Sequence, residues 1–250
     1  DRSVSRGLGD VYKRQEVKNM EQRIKEEVLE RIKDAEMILI GIGEEFSPRL
    51  SEAEKKNPFL RSRYYETIPA DHEVIQAYNS LRGLIGARPY FVVTLNTDDL
   101  IYRSDMEDDL IVAPCGSMAK MQCGEHIVRA HEICGQVIDS KDESLAVCPE
   151  CGKPLCFHTV ESDGYMEQGY LPQWEKYKSW LSCTLNRRLC ILELGAGFKY
   201  PQILRWPFEK VTMYNNKAFL IRVSSSFPQL PEEIAQKGLS IASSPLELFS

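Results

Sequence analysis

From Met20 onward, Ile24, Val28, Ile32 and Ala35 recur at helical spacing and predict an amphipathic helix of about four turns. Met37-Ile38-Leu39-Ile40 is a continuous apolar run ended by Gly41-Ile42-Gly43, the pattern of a strand buried on both faces that opens into a glycine turn. Glu44 to Thr67 is polar and has few periodic apolar positions, so it is expected to be a mobile loop over a site. Asp71 can cap a helix through Val74, Ile75, Tyr78, Leu81 and Ile85 that ends at Gly86, and Tyr90-Phe91-Val92-Val93-Thr94 follows as a strand. Trp174, Tyr177, Trp180 and Leu181 mark a further helix before the strand Cys190 to Leu194, which breaks at Gly195 and Gly197. Ala218 to Val223 predicts another strand, followed by a helix near Pro231 to Lys237 and a short strand at Leu239-Ser240-Ile241. Helix and strand alternate, so the expected class is α/β, a parallel sheet with helices on both faces.

Composition narrows the class of function. Hydrophobic residues make up 43% and charged residues 27% of the 250 positions, ordinary for a globular chain. A net charge of −6 offers no basic footprint for a nucleic-acid backbone, and no apolar run reaches the length of a membrane span. No nucleic acid and no membrane are expected as partners, and a cytoplasmic location is expected. Residues 1–19 carry no apolar period; the stretch SVSRGLGDVYKRQ reads as a disordered or non-native tail, with Met20 as the native start. Five of the eight cysteines lie between Cys115 and Cys151, which favours metal or redox chemistry over a secreted disulfide framework.

Cys148-Pro149-Glu150-Cys151 places two thiolates where both can reach one tetrahedral zinc ion across a tight turn. Cys123-Gly124-Glu125-His126 supplies a second pair at the same interval, which is zinc-ribbon spacing. Cys134 competes with His126 for the fourth position, but it shares an apolar stripe with Ile127, Ala130 and Val137, where a buried cysteine is the commoner outcome; His126 is favoured. A closed four-ligand site supports folding and leaves no position for substrate, so catalysis belongs elsewhere. Gly41-Ile42-Gly43 and Gly195-Ala196-Gly197 both follow strands, where glycine lets backbone N–H groups approach a phosphate, and a dinucleotide is the implied ligand. Thr94-Leu95-Asn96-Thr97-Asp98 puts an amide and a carboxylate two residues apart just beyond a buried strand.

In this order the pieces resemble the sirtuin (silent information regulator) family across nearly all of residues 35–250, closest to its macrodomain-linked class. Gly41-Ile42-Gly43 with Ser47 resembles the family's first glycine loop, Thr94-Leu95-Asn96-Thr97-Asp98 its Thr-Gln-Asn-Ile-Asp stretch, and Leu194-Gly195-Ala196-Gly197 its later phosphate-binding strand. The resemblance implies a Rossmann-like NAD-binding domain at 20–114 and 160–250, with a small zinc-binding module inserted at 115–159. It also implies NAD contacts from Gly41, Gly43, Ser47, Thr94, Asn96, Asp98, Glu193, Gly195, Gly197 and Ser224. The family's catalytic histidine falls on Cys115, and a thiol is a poor base unless its pKa is depressed. The implied activity is therefore NAD cleavage with ADP-ribose passed to a protein or small-molecule acceptor, with Asn96, Asp98 and Cys115 as the catalytic candidates. The alternatives are NAD-dependent lysine deacylation and non-catalytic sensing of NAD or ADP-ribose.

Overall fold

The structure, a computed structural model, describes residues 22–249. The tail at 1–19 lies outside the described residues. In chain order the helices are α1 (residues 22–34), α2 (Glu52–Lys56), α3 (Pro58–Thr67), α4 (Glu73–Ile85), α5 (His131–Ser140), α6 (Leu171–Ser182), α7 (Arg205–Tyr214) and α8 (Pro245–Phe249). The strands are β1 (Met37–Ile42), β2 (Tyr90–Thr94), β3 (Ile111–Val112), β4 (Gly116–Gln122), β5 (Ile127–Arg129), β6 (Cys156–Thr159), β7 (Leu189–Leu194), β8 (Ala218–Val223) and β9 (Gly238–Ile241).

Six strands form one parallel sheet in the order β3-β2-β1-β7-β8-β9. The central β1 and β7 are buried along their whole length, which is why they read as apolar runs, interrupted in β7 by Glu193. Side chains alternate between two cores. Ile38, Ile40 and Ile42 of β1 and Cys190, Leu192 and Leu194 of β7 face α1 and α4, where they meet Val28, Ile32, Val74, Tyr78 and Leu81. Met37 and Leu39 with Leu189 and Ile191 face the opposite way, toward Tyr177 of α6 and Phe208 of α7. The chain runs from β1 outward to β2 and β3, then returns to place β7 on the other flank of β1. The crevice at the carboxyl ends of β1 and β7 is therefore the topological switch point, where open α/β sheets bind ligands.

A second sheet, antiparallel and ordered β5-β4-β6, lies between β3 and β7 in the chain. Its own cluster joins Met118, Met121, Cys134, Val137 and Phe157. Phe59 of α3 is buried in the same cluster, with its ring 5.2 Å from that of Phe157. The expected loop from Glu44 to Thr67 is thus largely helical. Ser51 and Glu54 close a capping box at the start of α2, and Asn57 caps α3 with Pro58 at its first position. Phe59 of α3 serves the small lobe while Tyr64 and Tyr65 also pack on the main core, so the helix shows no single apolar stripe. His72, not Asp71, caps α4, and Gly86 ends it as expected.

Candidate active site and metal centre

The sulfur atoms of Cys123, Cys148 and Cys151 and a ring nitrogen of His126 lie within 4.8 Å of one another. Cys123 Sγ is 3.6 Å from Cys151 Sγ and 3.7 Å from His126 Nδ1, and Cys148 Sγ is 3.7 Å from the same nitrogen. A tetrahedral zinc ion with bonds of about 2.3 Å to sulfur needs ligand atoms roughly 3.8 Å apart, so three cysteines and one histidine at these distances fit the ion. Glu150 Oε2 stands 3.2 Å from His126 Nε2, the carboxylate partner that orients a metal-bound imidazole through its other nitrogen. Cys134 lies apart, buried among Met118, Met121 and Val137 with its sulfur toward Ser62. Donation from the Glu125 and His126 backbone lowers the Cys123 thiol to about 6, the direction a zinc thiolate requires.

The second site is a cleft of about 320 Å³ between the two lobes. Glu44, Ser47 and Asn96 line it from the carboxyl ends of β1 and β2, Cys115 from the start of β4, and Glu161 and Lys199 from the far side. The Asn96 side-chain amide donates to the Phe46 carbonyl at 2.8 Å, which orients the amide, and its backbone N–H donates to Thr94 Oγ1 at 3.1 Å, which holds the turn. Ser47 Oγ donates to Asp98 Oδ2 at 3.0 Å, and the Leu100 N–H donates to Asp98 Oδ1 at 3.0 Å. Burial pushes Asp98 up to about 6, against those two bonds. Its neighbour Asp99 holds a left-handed backbone (φ 59°) and accepts from Ser117 Oγ, and burial pushes it to about 6 as well. The arrangement fixes the Asn96 amide in the cleft wall and sets Asp98, pushed up to about 6, behind Ser47; Asp98 itself lines not this cleft but a separate groove with Ser62, Tyr65 and Lys120.

No family model matches the chain. Sir2Tm bound to a propionylated peptide superposes with a TM-score of 0.59 at 14% identity, covering 89% of this chain and 94% of that one. A Sir2 complex with a p53 peptide and NAD+ superposes with a TM-score of 0.56 at 14% identity, covering 88% and 93%. The fold is that of the sirtuins. Among curated sequences, a protein ADP-ribosyltransferase from Staphylococcus aureus (strain Mu50) is 21% identical over 73% of this chain. A probable bifunctional ADP-ribose hydrolase/ADP-ribosyltransferase from Fusarium oxysporum f. sp. cubense is 27% identical over 60%. The chain spans 62% of the length of the first relative and 28% of the second.

Within this sirtuin fold, several residues expected at the ligand sit elsewhere. Glu193 is fully buried, and both its oxygens accept from Arg222, at 2.7 and 2.9 Å, with Arg205 3.6 Å away. It faces α7 inside the sheet, where register places it between Gly41 and Arg222, and it does not line the cleft. Gly41 is also internal to β1; a Cβ there would stand 2.5 Å from the Phe208 ring, so its glycine admits a core aromatic side chain, not a phosphate. Cys115 does line the cleft, but burial, with the charge of Glu44, pushes its thiol up to about 12. A thiol so placed stays protonated at neutral pH and does not replace a histidine base. Ser224 is buried and donates to Glu45 at 2.8 Å, and Thr94 is buried beneath Asn96. Gly43 and Gly195 meet at the switch point: a Cβ on Gly43 would lie 2.3 Å from Ala196 Cα, and Gly195 has φ +69°. Glu44, Lys199 and Glu161 at the cleft and Glu45 beside it carry no motif in the sequence beyond the acidic pair directly after the Gly43 turn.

Among the described residues no helix is long and apolar enough to cross a membrane.

Proposed function

We propose that the chain binds NAD in the switch-point cleft, breaks the bond between nicotinamide and ribose, and transfers ADP-ribose to a protein or small-molecule acceptor. The observation that carries the reading is the pairing of an oriented Asn96 and a Ser47-held Asp98 with a protonated thiol at Cys115. In the reaction, the C1′–N bond breaks with its electron pair leaving on neutral nicotinamide, the acceptor's oxygen or nitrogen bonds to C1′, and that acceptor loses a proton. Asn96 orients the nicotinamide side of the ligand, and Asp98, ionised above about pH 6, holds Ser47 from behind the cleft wall and adds negative charge near the positive charge developing at the ribose. Deacylation demands in addition a base on the ribose hydroxyls, which Cys115 does not supply. The relatives named as ADP-ribosyltransferases point the same way. Zinc, held by Cys123, His126, Cys148 and Cys151, would staple the inserted module at 115–159 and take no part in the chemistry. A zinc site built on three thiolates suits a reducing compartment such as the cytoplasm.

The test is mass spectrometry of candidate acceptors incubated with the protein and NAD. An ADP-ribose mass added to an acceptor, and lost with Asn96→Ala, supports transfer. NAD-dependent loss of acyl groups from lysine peptides would instead select deacylation, and binding with no turnover would select a sensor.

A further inference from the structure

The turn after β1 carries two carboxylates, and each lies on backbone N–H groups at the mouth of the crevice. Glu45 Oε1 accepts from Ser224 Oγ at 2.8 Å and from the Ser226 N–H at 3.1 Å, and its Oε2 accepts from the Ser225 N–H at 2.7 Å. Burial works against its charge, but those donors hold the carboxyl below its ordinary range. Glu45 is thus a tether joining the turn after β1 to the turn after β8. Glu44 differs. Its side chain is exposed, its hydrogen bond is a single one from the Gly197 N–H to Oε2 at 3.0 Å, and it forms part of the cleft wall beside Ser47 and Asn96.

The backbone around Glu44 is fixed, while its exposed side chain is held by the Gly197 N–H alone. Gly43 N–H donates to the Leu194 carbonyl at 2.8 Å and Glu45 N–H to the Gly195 carbonyl at 3.1 Å, so the two turns are clamped together. The Gly197 N–H belongs to the glycine turn after β7, at the switch point, where a donor of this kind can donate to an anion's oxygen. The Lys199 ammonium, near that turn, is already paired with Glu161. A diphosphate entering here meets a resident carboxylate on the donor it needs, and like charge opposes it.

We propose that Glu44 is a built-in competitor for the ligand's diphosphate: its carboxylate occupies the Gly197 N–H until a phosphate oxygen takes that donor, and so sets how tightly the cleft holds phosphorylated ligands. The proposal rests on the dinucleotide reading above and adds the residue that limits it. Removing the charge frees the donor and removes the repulsion.

Calorimetric titration of the full chain with ADP-ribose, and separately with adenosine, compares wild type with Glu44→Gln and Glu44→Ala. At low ionic strength both variants are expected to bind ADP-ribose about two- to fivefold more tightly, the size of one partly exposed charge interaction. The gain should shrink near 1 M salt, where screening acts over about 3 Å. Adenosine, which has no phosphate, should show no gain. Glu45→Gln, which cuts the tether, should weaken binding and lower the melting temperature, whereas the Glu44 variants keep the wild-type melting temperature. Wild type binding ADP-ribose with no gain in either Glu44 variant, or an equal gain for adenosine, overturns the proposal and leaves the dinucleotide reading standing. Absence of ADP-ribose binding in every variant and in wild type overturns both.

Discussion

Asp98 and Asp99 show what burying a carboxyl costs the molecule that holds it. Both carboxyls titrate near 6, raised from an ordinary 3.8 mainly by burial. The folded chain therefore binds more protons than the unfolded chain between those values. The stability linked to these groups is fully present below about pH 3.8 and is lost as the pH rises through about 6. Asp98→Asn should stabilise the protein at pH 7 by on the order of 1–2 kcal/mol and flatten the stability profile between pH 4 and 6, while abolishing NAD cleavage. Chemical denaturation at several pH values reads the first effect and nicotinamide release the second. Glu193 is also raised by burial, but against two guanidinium groups. Its carboxylate is buried and paired, so Glu193→Gln should cost up to about 3 kcal/mol by leaving buried Arg222 with Glu209 as its carboxylate partner and Arg205 with backbone carbonyls, seen as a lowered denaturation midpoint. The Asn96-to-Asp98 pair stood out through its likeness to the sirtuin Thr-Gln-Asn-Ile-Asp stretch, because Asn and Asp after a strand are ordinary turn residues, as the bond from the Leu100 N–H to Asp98 illustrates. The inward turn of Glu193 was not legible, because its partner Arg222 is remote in sequence and only strand register joins them.

At the scale of elements, legibility followed which core each element serves. Strands β1, β2, β7 and β8 are buried on both faces and announce themselves as apolar runs, interrupted in β7 by Glu193 and in β8 by Arg222. Helix α3 divides its contacts between Phe59 against the small lobe and Tyr64 and Tyr65 that also pack on the main core, so its apolar pattern is sparse; its signals were the Asn57-Pro58 start and the capping box at Ser51. The small lobe has a limited cluster of its own around Met118, Met121 and Phe157, too little to hold three short strands without a staple. Chelating the metal, or Cys148→Ser, should unfold this lobe while the parallel sheet survives. Hydrogen exchange should show protection lost across residues 116–159 and retained in β1 and β7, with zinc content falling below one ion per chain. Equal loss of protection in both sheets would contradict a local staple.

At the scale of the whole molecule, the decisive fact is strand order, which apolar runs do not encode. Parallel strands in any order produce the same sequence pattern, and only the return of β7 to the free flank of β1 brings Gly43, Glu44 and Gly195 together at one crevice. The small lobe then closes that crevice by carrying Cys115 and Glu161 against Asn96 and Ser47. The order of motifs along the chain pointed to this assembly before any single motif could. The most direct measurement of the central claim is the release of nicotinamide from labelled NAD by purified protein supplied with candidate acceptors. Wild type is expected to release nicotinamide steadily, and Asn96→Ala, folded to the same melting temperature, to fall at least about a hundredfold, as when an oriented polar group at a reacting centre is removed. Release from wild type no faster than from Asn96→Ala would contradict the account.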